Sequence, residues 1–169
     1  MHRFIRFLAH ASALVGGAVL IVLVAMTTLS ILGRSTGIGE ITGNYEVLEA
    51  GVAFAIFAFL PICQFYGAHA TVDVFTMQLP DRATRVIAAF WEIVLAAVII
   101  LLIWRLYGGL ERVYGNGQTT LFLQFPVWWG YAAAFVAGVI ACIVAVYCAA
   151  ARVIEAAQDR AILPSEHEV

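Results

Sequence analysis

The sequence predicts an all-α integral membrane protein: four transmembrane helices with short loops, forming a single four-helix membrane domain over residues 1–169. Three observations predict it. Apolar runs of about 20 or more residues fall at 8–32, 47–66, 86–107 and 127–151, each long enough to cross a hydrocarbon core of about 30 Å as a helix. Hydrophobic residues make up 63% of the chain and charged residues 12%, with a mean hydropathy of +0.96. A water-soluble domain of this length could not cover so much apolar surface with so little charge. The charges that exist gather near the ends of the runs, where a membrane tolerates them.

Span one follows a short basic segment, Met1–Phe7. That pairing resembles a signal peptide, but the run outlasts a signal h-region and no small-residue cleavage site follows before Gly33-Arg34. It therefore reads as a retained span. A flexible connection, Gly33–Glu46, carries Gly37, Gly39 and Gly43. Span two opens on Glu46 and Glu49, about one turn apart. Its Pro61 removes a backbone donor and predicts a bend near Phe57.

Between spans two and three, Val72, Phe75 and Leu79 recur at helical spacing in Ala70–Leu79, before Pro80. A short helix in the headgroup plane and an irregular loop account for this pattern equally well. Asp81, followed by Arg82 and Arg85, reads as a capped start to span three. Glu92 lies about two turns into that span, and Arg105 lies near its far end, about 20 Å away, too far to pair. Gly108–Phe125 is the next connection, with Gly115-Asn116-Gly117 as a turn signal. Pro126 suits the first position of span four, where its missing N–H is not needed.

Span four carries the clearest packing pattern. Ala133, Ala137, Ala141, Ala145 and Ala149 recur every four residues, with Gly130, Ala134 and Gly138 as a second small stripe. Small residues let helix backbones approach in lipid, where association depends on van der Waals contact. The larger Phe135, Val139, Ile143 and Val146 are then expected to face lipid or a partner. The polar tail, residues 155–169 with Pro164 and Ser165, is expected to fray.

Arginine supplies all nine basic residues. Arg3, Arg6, Arg82, Arg85, Arg152 and Arg160 flank one side of the spans, against Arg34, Arg105 and Arg112 on the other. That bias places both termini in the cytoplasm. Tyr45, Trp104, Tyr107, Tyr114, Trp128, Trp129 and Tyr131 form the outer aromatic belt, and Tyr66, Trp91 and Tyr147 the inner one.

Several chemistries lack their parts. A haem protein needs axial histidines deep in the membrane, and His2, His10, His69 and His167 all lie outside span interiors. Cys63, Cys142 and Cys148 form no CxxC pair and are absent from the outer loops, so they read as small buried hydrophobes. His69 and Asp73 stand four apart, but two ligands do not make a metal site. No catalytic constellation or phosphate loop is present, so neither enzyme nor cofactor is expected. A net charge of −2 gives no reason to expect a nucleic-acid partner. Glu92 is the one acid placed for a proton or ion path, and a snorkelling or partner-paired carboxylate accounts for it better. The remaining reading is a subunit, organiser or anchor within a larger membrane assembly.

One family fits that description. From about Arg34 to Tyr131 the chain resembles the small permease (Q-type) subunit of tripartite ATP-independent periplasmic (TRAP) transporters. The resemblance rests on Gly33-Arg34 closing span one and Glu46 with Glu49 opening span two. It continues through Gly67-Ala68-His69-Ala70-Thr71-Val72-Asp73-Val74, Leu79-Pro80, Thr119-Thr120-Leu121 and Pro126-Val127-Trp128-Trp129-Gly130-Tyr131. It implies a bacterial inner-membrane subunit that pairs with a separate large permease, enlarges its static scaffold and helps dock a periplasmic binding protein. The system would take up organic acids on a sodium gradient, and this chain would not itself bind the substrate. Arg34, Glu46 and Glu49 are then the candidates for contact at the outer face or across the subunit interface. His69 and Asp73 would organise the inner loop against the large permease, and Glu92 is a further interface candidate. The residues alone leave two other readings open: an organiser of a different membrane complex, and a small homo-oligomeric channel or exporter.

Overall fold

The computed structural model describes residues 2–37, 39–67 and 81–158. Ala70–Leu79, His69 and Asp73 lie outside these residues, as does the tail beyond residue 158. Four helices make up the fold: α1 (His2–Ser35), α2 (Asn44–Tyr66), α3 (Asp81–Asn116) and α4 (Trp128–Gln158). All four are long and apolar enough to span a membrane. With 34, 23, 36 and 31 residues, they extend about 51, 34, 54 and 46 Å at 1.5 Å per residue. The protein is an all-α, four-span membrane protein.

The helices do not pack in chain order. α2 lies between α1 and α4, and α3 is carried on the far side of α4. One buried cluster joins Ile5 and Ala9 of α1, Phe65 of α2, and Val144, Cys148 and Ala151 of α4. It lies at the end holding the N-terminus of α1 and the C-terminus of α4, the terminal end. A second cluster joins Ala96, Ile99 and Ile103 of α3 to Ala141 and Ala145 of α4, with Phe57 and Leu60 of α2 against it. The opposite, or loop, end carries the α1–α2 and α3–α4 connections.

Small residues set these approaches. Ala134, Ala137, Gly138, Ala141 and Ala145 of the predicted stripe are buried. Gly130 is half-buried so close to α2 that an added Cβ would lie 3.0 Å from that of Ala50. Gly138 faces Ile103 and Phe57 with no room for a side chain. Ala133 is exposed and leaves the stripe. At about 100° per residue, a four-residue period drifts about 40° each step, so one end of such a row must rotate off the packed face. Phe135, expected to face lipid or a partner, packs instead against the α3–α4 cluster within this chain, its ring centroid 5.6 Å from that of Tyr107. Val139, Ile143 and Val146 are exposed as expected.

Between α1 and α2 the fit is equally close. A Cβ on Gly16 would lie 2.9 Å from that of Ala58, and Ser12 Oγ donates to the Ala58 carbonyl at 2.8 Å. Ser30 Oγ, near the other end of α1, accepts from the Ile41 N–H at 3.1 Å. In lipid such hydrogen bonds add to a contact that has no hydrophobic driving force.

Helix limits differ from the apolar runs because hydropathy measures membrane depth, whereas helices continue into the interface. α1 begins at His2 and includes Arg3 and Arg6. α3 passes through Gly108-Gly109 to Asn116, so the expected 108–125 connection is shorter. Val113 is buried, and Tyr114 meets Trp128 edge to face, a contact that holds these last turns against the start of α4. Gly117, with φ of 60°, ends the helix. The turn signal is thus a helix stop, where glycine alone takes a left-handed backbone freely. α4 begins at Trp128, and Pro126 precedes it, its carbonyl accepting from the Trp129 N–H at 3.1 Å. The fraying expected from residue 155 does not begin there, since helix continues to Gln158. Glu155 is only 4% exposed and pairs with Arg152 at 2.9 Å. Pro61 is buried inside α2, which ends at Gly67 (φ 64°).

Gly16→Leu should force α1 and α2 apart and cost about 1–3 kcal/mol of stability, as overpacking generally does. Ala18→Leu on the exposed face of the same helix should be near neutral. Helix content followed through detergent-induced unfolding of the two variants would measure the contrast.

Candidate functional site

The loop end gathers three of the residues singled out in the sequence. Arg34 is exposed in the last turn of α1, where a cation complements the negative end of the helix. Glu46 occupies the first turn of α2, where an anion is favoured. Glu49 follows one turn later and is exposed.

Glu46 does more than favour its helix end. One carboxylate oxygen accepts from the Phe122 N–H at 2.6 Å, and the other accepts from the Leu123 N–H at 2.9 Å. These amides belong to a small hairpin between α3 and α4. Thr120 N–H donates to the Phe125 carbonyl and Val127 N–H to the Gln118 carbonyl, each at 3.0 Å, around a Thr119–Pro126 bridge. Phe125 N–H also reaches Thr120 Oγ1 at 3.2 Å, and Gln124 turns the chain with φ of 53°. A hairpin this short is marginal by itself. Charge-assisted hydrogen bonds from α2 fix its tip. The tip presents Leu121 and Phe122, 81% and 63% exposed.

Beneath the hairpin lies a cleft of about 570 Å³. α2 supplies one wall with Glu46, Glu49, Ala50 and Ala53, while α4 supplies the back with Gly130, Tyr131 and Ala134. Phe57 and Leu106 close the bottom.

Glu92 belongs elsewhere, in the half of the protein toward the terminal end. Gln64, 2% exposed in α2, donates through Nε2 to Glu92 Oε1 of α3 at 2.7 Å. This is the partner that a carboxylate inside a span requires. Nearby, Tyr66 and His10 join α2 to α1 with 3.1 Å between oxygen and Nε2. Chain spacing cannot find the Gln64–Glu92 contact, because it links two spans. The signal for it is an amide inside an apolar run. No group of three His, Cys, Asp or Glu is arranged to hold a metal among the described residues.

Residues 23–156 match the family model described as the DctQ component of tripartite ATP-independent periplasmic transporters. The chain belongs to this family. It is therefore a multi-pass component of a membrane transporter. A comparison with curated proteins finds no match. The matched region of this DctQ component contains all of α2 and α3, the hairpin and most of α4, so both the loop-end site and the Gln64–Glu92 contact fall inside it.

Replacing Glu46 by Gln should release one or both tip amides, since a neutral amide offers one accepting oxygen in place of two. Hydrogen exchange should quicken at Phe122 and Leu123 while circular dichroism stays at the wild-type helix content. Gln64→Leu should cost about 1–3 kcal/mol by withdrawing a donor from the Glu92 carboxylate, a loss visible in detergent unfolding.

Proposed function

We propose that this chain is the small accessory membrane subunit of a sodium-driven, binding-protein-dependent symporter for organic acids. It pairs with a separate large permease as part of the static scaffold and presents its loop end to a periplasmic binding protein. The observation that carries the docking role is the Glu46 clamp. It holds an exposed apolar hairpin tip in fixed position at the end that also carries Arg34 and Glu49. A docking surface gains affinity when its contact groups are ordered before the partner arrives.

Orientation follows the arginine bias. The loop end faces the periplasm, both termini face the cytoplasm, and the chain resides in the bacterial inner membrane. Segments 40–49 and 115–124 then lie beside the docked binding protein. His69 and Asp73 organise the cytoplasmic loop against the large permease. Substrate selection rests with the other two components, and this chain's close helix packing supplies support instead.

Uptake into liposomes containing this chain and its large permease, with the binding protein outside and an inward sodium gradient, tests the proposal. Transport should require both membrane chains. Arg34→Ala and Glu49→Ala should raise the binding-protein concentration needed for half-maximal uptake while both chains still co-purify. Transport by this chain alone would establish a channel or exporter instead. Unaltered binding-protein dependence in both variants would remove these residues from the docking face.

A further inference from the structure

Arg105 is the one arginine inside the four apolar runs, and packing places it well below the ends of the helices. α3 and α4 run antiparallel, with Ile103 against Gly138 and Gly109 against Tyr131. Arg105 lies between these two levels. Tyr131 and Gly138 stand about 5 and 15 Å past the start of α4 at 1.5 Å per residue. Arg105 is therefore about 10 Å inside that start. Its side chain is exposed, on the face of α3 turned away from the buried Ala96, Ile99 and Ile103. The guanidinium has no hydrogen-bond or ion-pair partner among the described residues. A charge at such depth ordinarily faces a bundle interior and is paired there.

Snorkelling to the headgroups would relieve the charge by itself, but it leaves a second feature of this face without a cause. Gly108 stands one turn on, exposed, and an added Cβ would meet nothing within 4 Å. Glycine inside a helix lowers stability relative to alanine. The adjacent Gly109 has a reason to be glycine, since its Cβ would lie 3.0 Å from the Tyr131 ring. Gly108 admits nothing in this chain. Lipid tails conform to any surface and need no recess, whereas a second helix backbone approaches closely only over a small residue.

Leu101, Arg105, Gly108 and Arg112 recur at i, i+4, i+7 and i+11, one stripe on the helix, and all four are exposed. Arg112 lies near the level of Trp128, because Tyr114 meets that ring. The exposed Glu111 points about 120° around the helix from Arg105. The stripe thus presents two cations and no acid. A complementary surface is an apolar helix that carries a carboxylate, which a guanidinium can grip through two hydrogen bonds. The apolar runs of α1 and α4 hold no arginine and no acid, so neither of them asks for such a partner.

We propose that this face of α3 seats a spanning helix of the large permease, with Gly108 at the closest approach and Arg105 paired to a carboxylate of that helix. The inference rests on the pairing with a large permease proposed above and adds the face and the chemistry by which it is made.

Titrating the labelled full-length chain with purified large permease in detergent tests it. Arg105→Leu and Gly108→Leu should each weaken the complex at least tenfold, while Arg105→Lys retains most of the affinity. Arg112→Gln should matter less, because a charge in water is screened. Both leucine variants should keep the wild-type helix content and unfold in detergent no more readily than the wild type, since each puts an apolar helix former on an exposed apolar face. A photoreactive residue at Leu101 should cross-link to the large permease in the assembled complex. Wild-type affinity in both leucine variants would overturn the proposal and leave this face to lipid. So would a Leu101 cross-link to lipid alone in a complex that assembles. Failure of the wild-type chain to bind the large permease at all would refute the pairing itself and this inference with it.

Discussion

Close backbone approach along α4 is the constraint on which the rest of the structure depends. In water a helix bundle assembles because burial removes apolar surface from solvent. Between lipid tails that force is missing, and contact area must replace it. The face of α4 formed by Ala134, Ala137, Gly138, Ala141 and Ala145 is buried, and it receives α2 on one side and α3 on the other. Any side chain larger than hydrogen at Gly138 would meet Ile103. α3 therefore owes its place to a glycine in another helix.

Placing α4 at the centre has consequences at both ends. α2 and α3 become neighbours through an intermediary, so their own meeting has to be made by specific groups. Near the terminal end that group is the Gln64–Glu92 hydrogen bond, and a buried amide–carboxylate contact resists being left unmade in a low-dielectric setting. Toward the loop end the cleft lies among α2, α4 and the hairpin, and α3 contributes Leu106 to it.

Much of this architecture is legible in the sequence, and the reasons for the remainder are specific. The four spans can be read because a run of about 20 apolar residues is seldom anything but a membrane crossing. The α4 stripe can be read as well, apart from Ala133, whose four-residue spacing conceals a rotation. Hydropathy misplaces the end of α3 at Gly108, because leaving the hydrocarbon does not end a helix whose last turns are held by Tyr114 against Trp128. Glu46 stands out in the sequence, but its partners are the Phe122 and Leu123 amides. Backbone groups leave no trace in residue type. Gln64 escapes a search for charged residues, although an amide in an apolar run is as informative as an acid. His69 and Asp73 lie outside the described residues.

Glu46 shows how a membrane subunit can present an ordered aqueous face with very little chain. A helix N-terminus has unpaired backbone donors and favours a carboxylate. At Glu46 that carboxylate is instead turned across to the amides of a neighbouring connection. The residue serves its helix through charge and the hairpin through geometry. The first role tolerates any acid in the first turn, whereas the second needs both oxygens within reach of two adjacent N–H groups. Because α2 is itself fixed against α1 and α4, the hairpin inherits the rigidity of the transmembrane scaffold. The exposed Leu121 and Phe122 are thereby positioned by the same helix packing that begins at Gly138, some distance inside the membrane. A change in the α4 stripe would reach the hairpin tip through α2 and this carboxylate, as well as through the chain that joins the hairpin to α4.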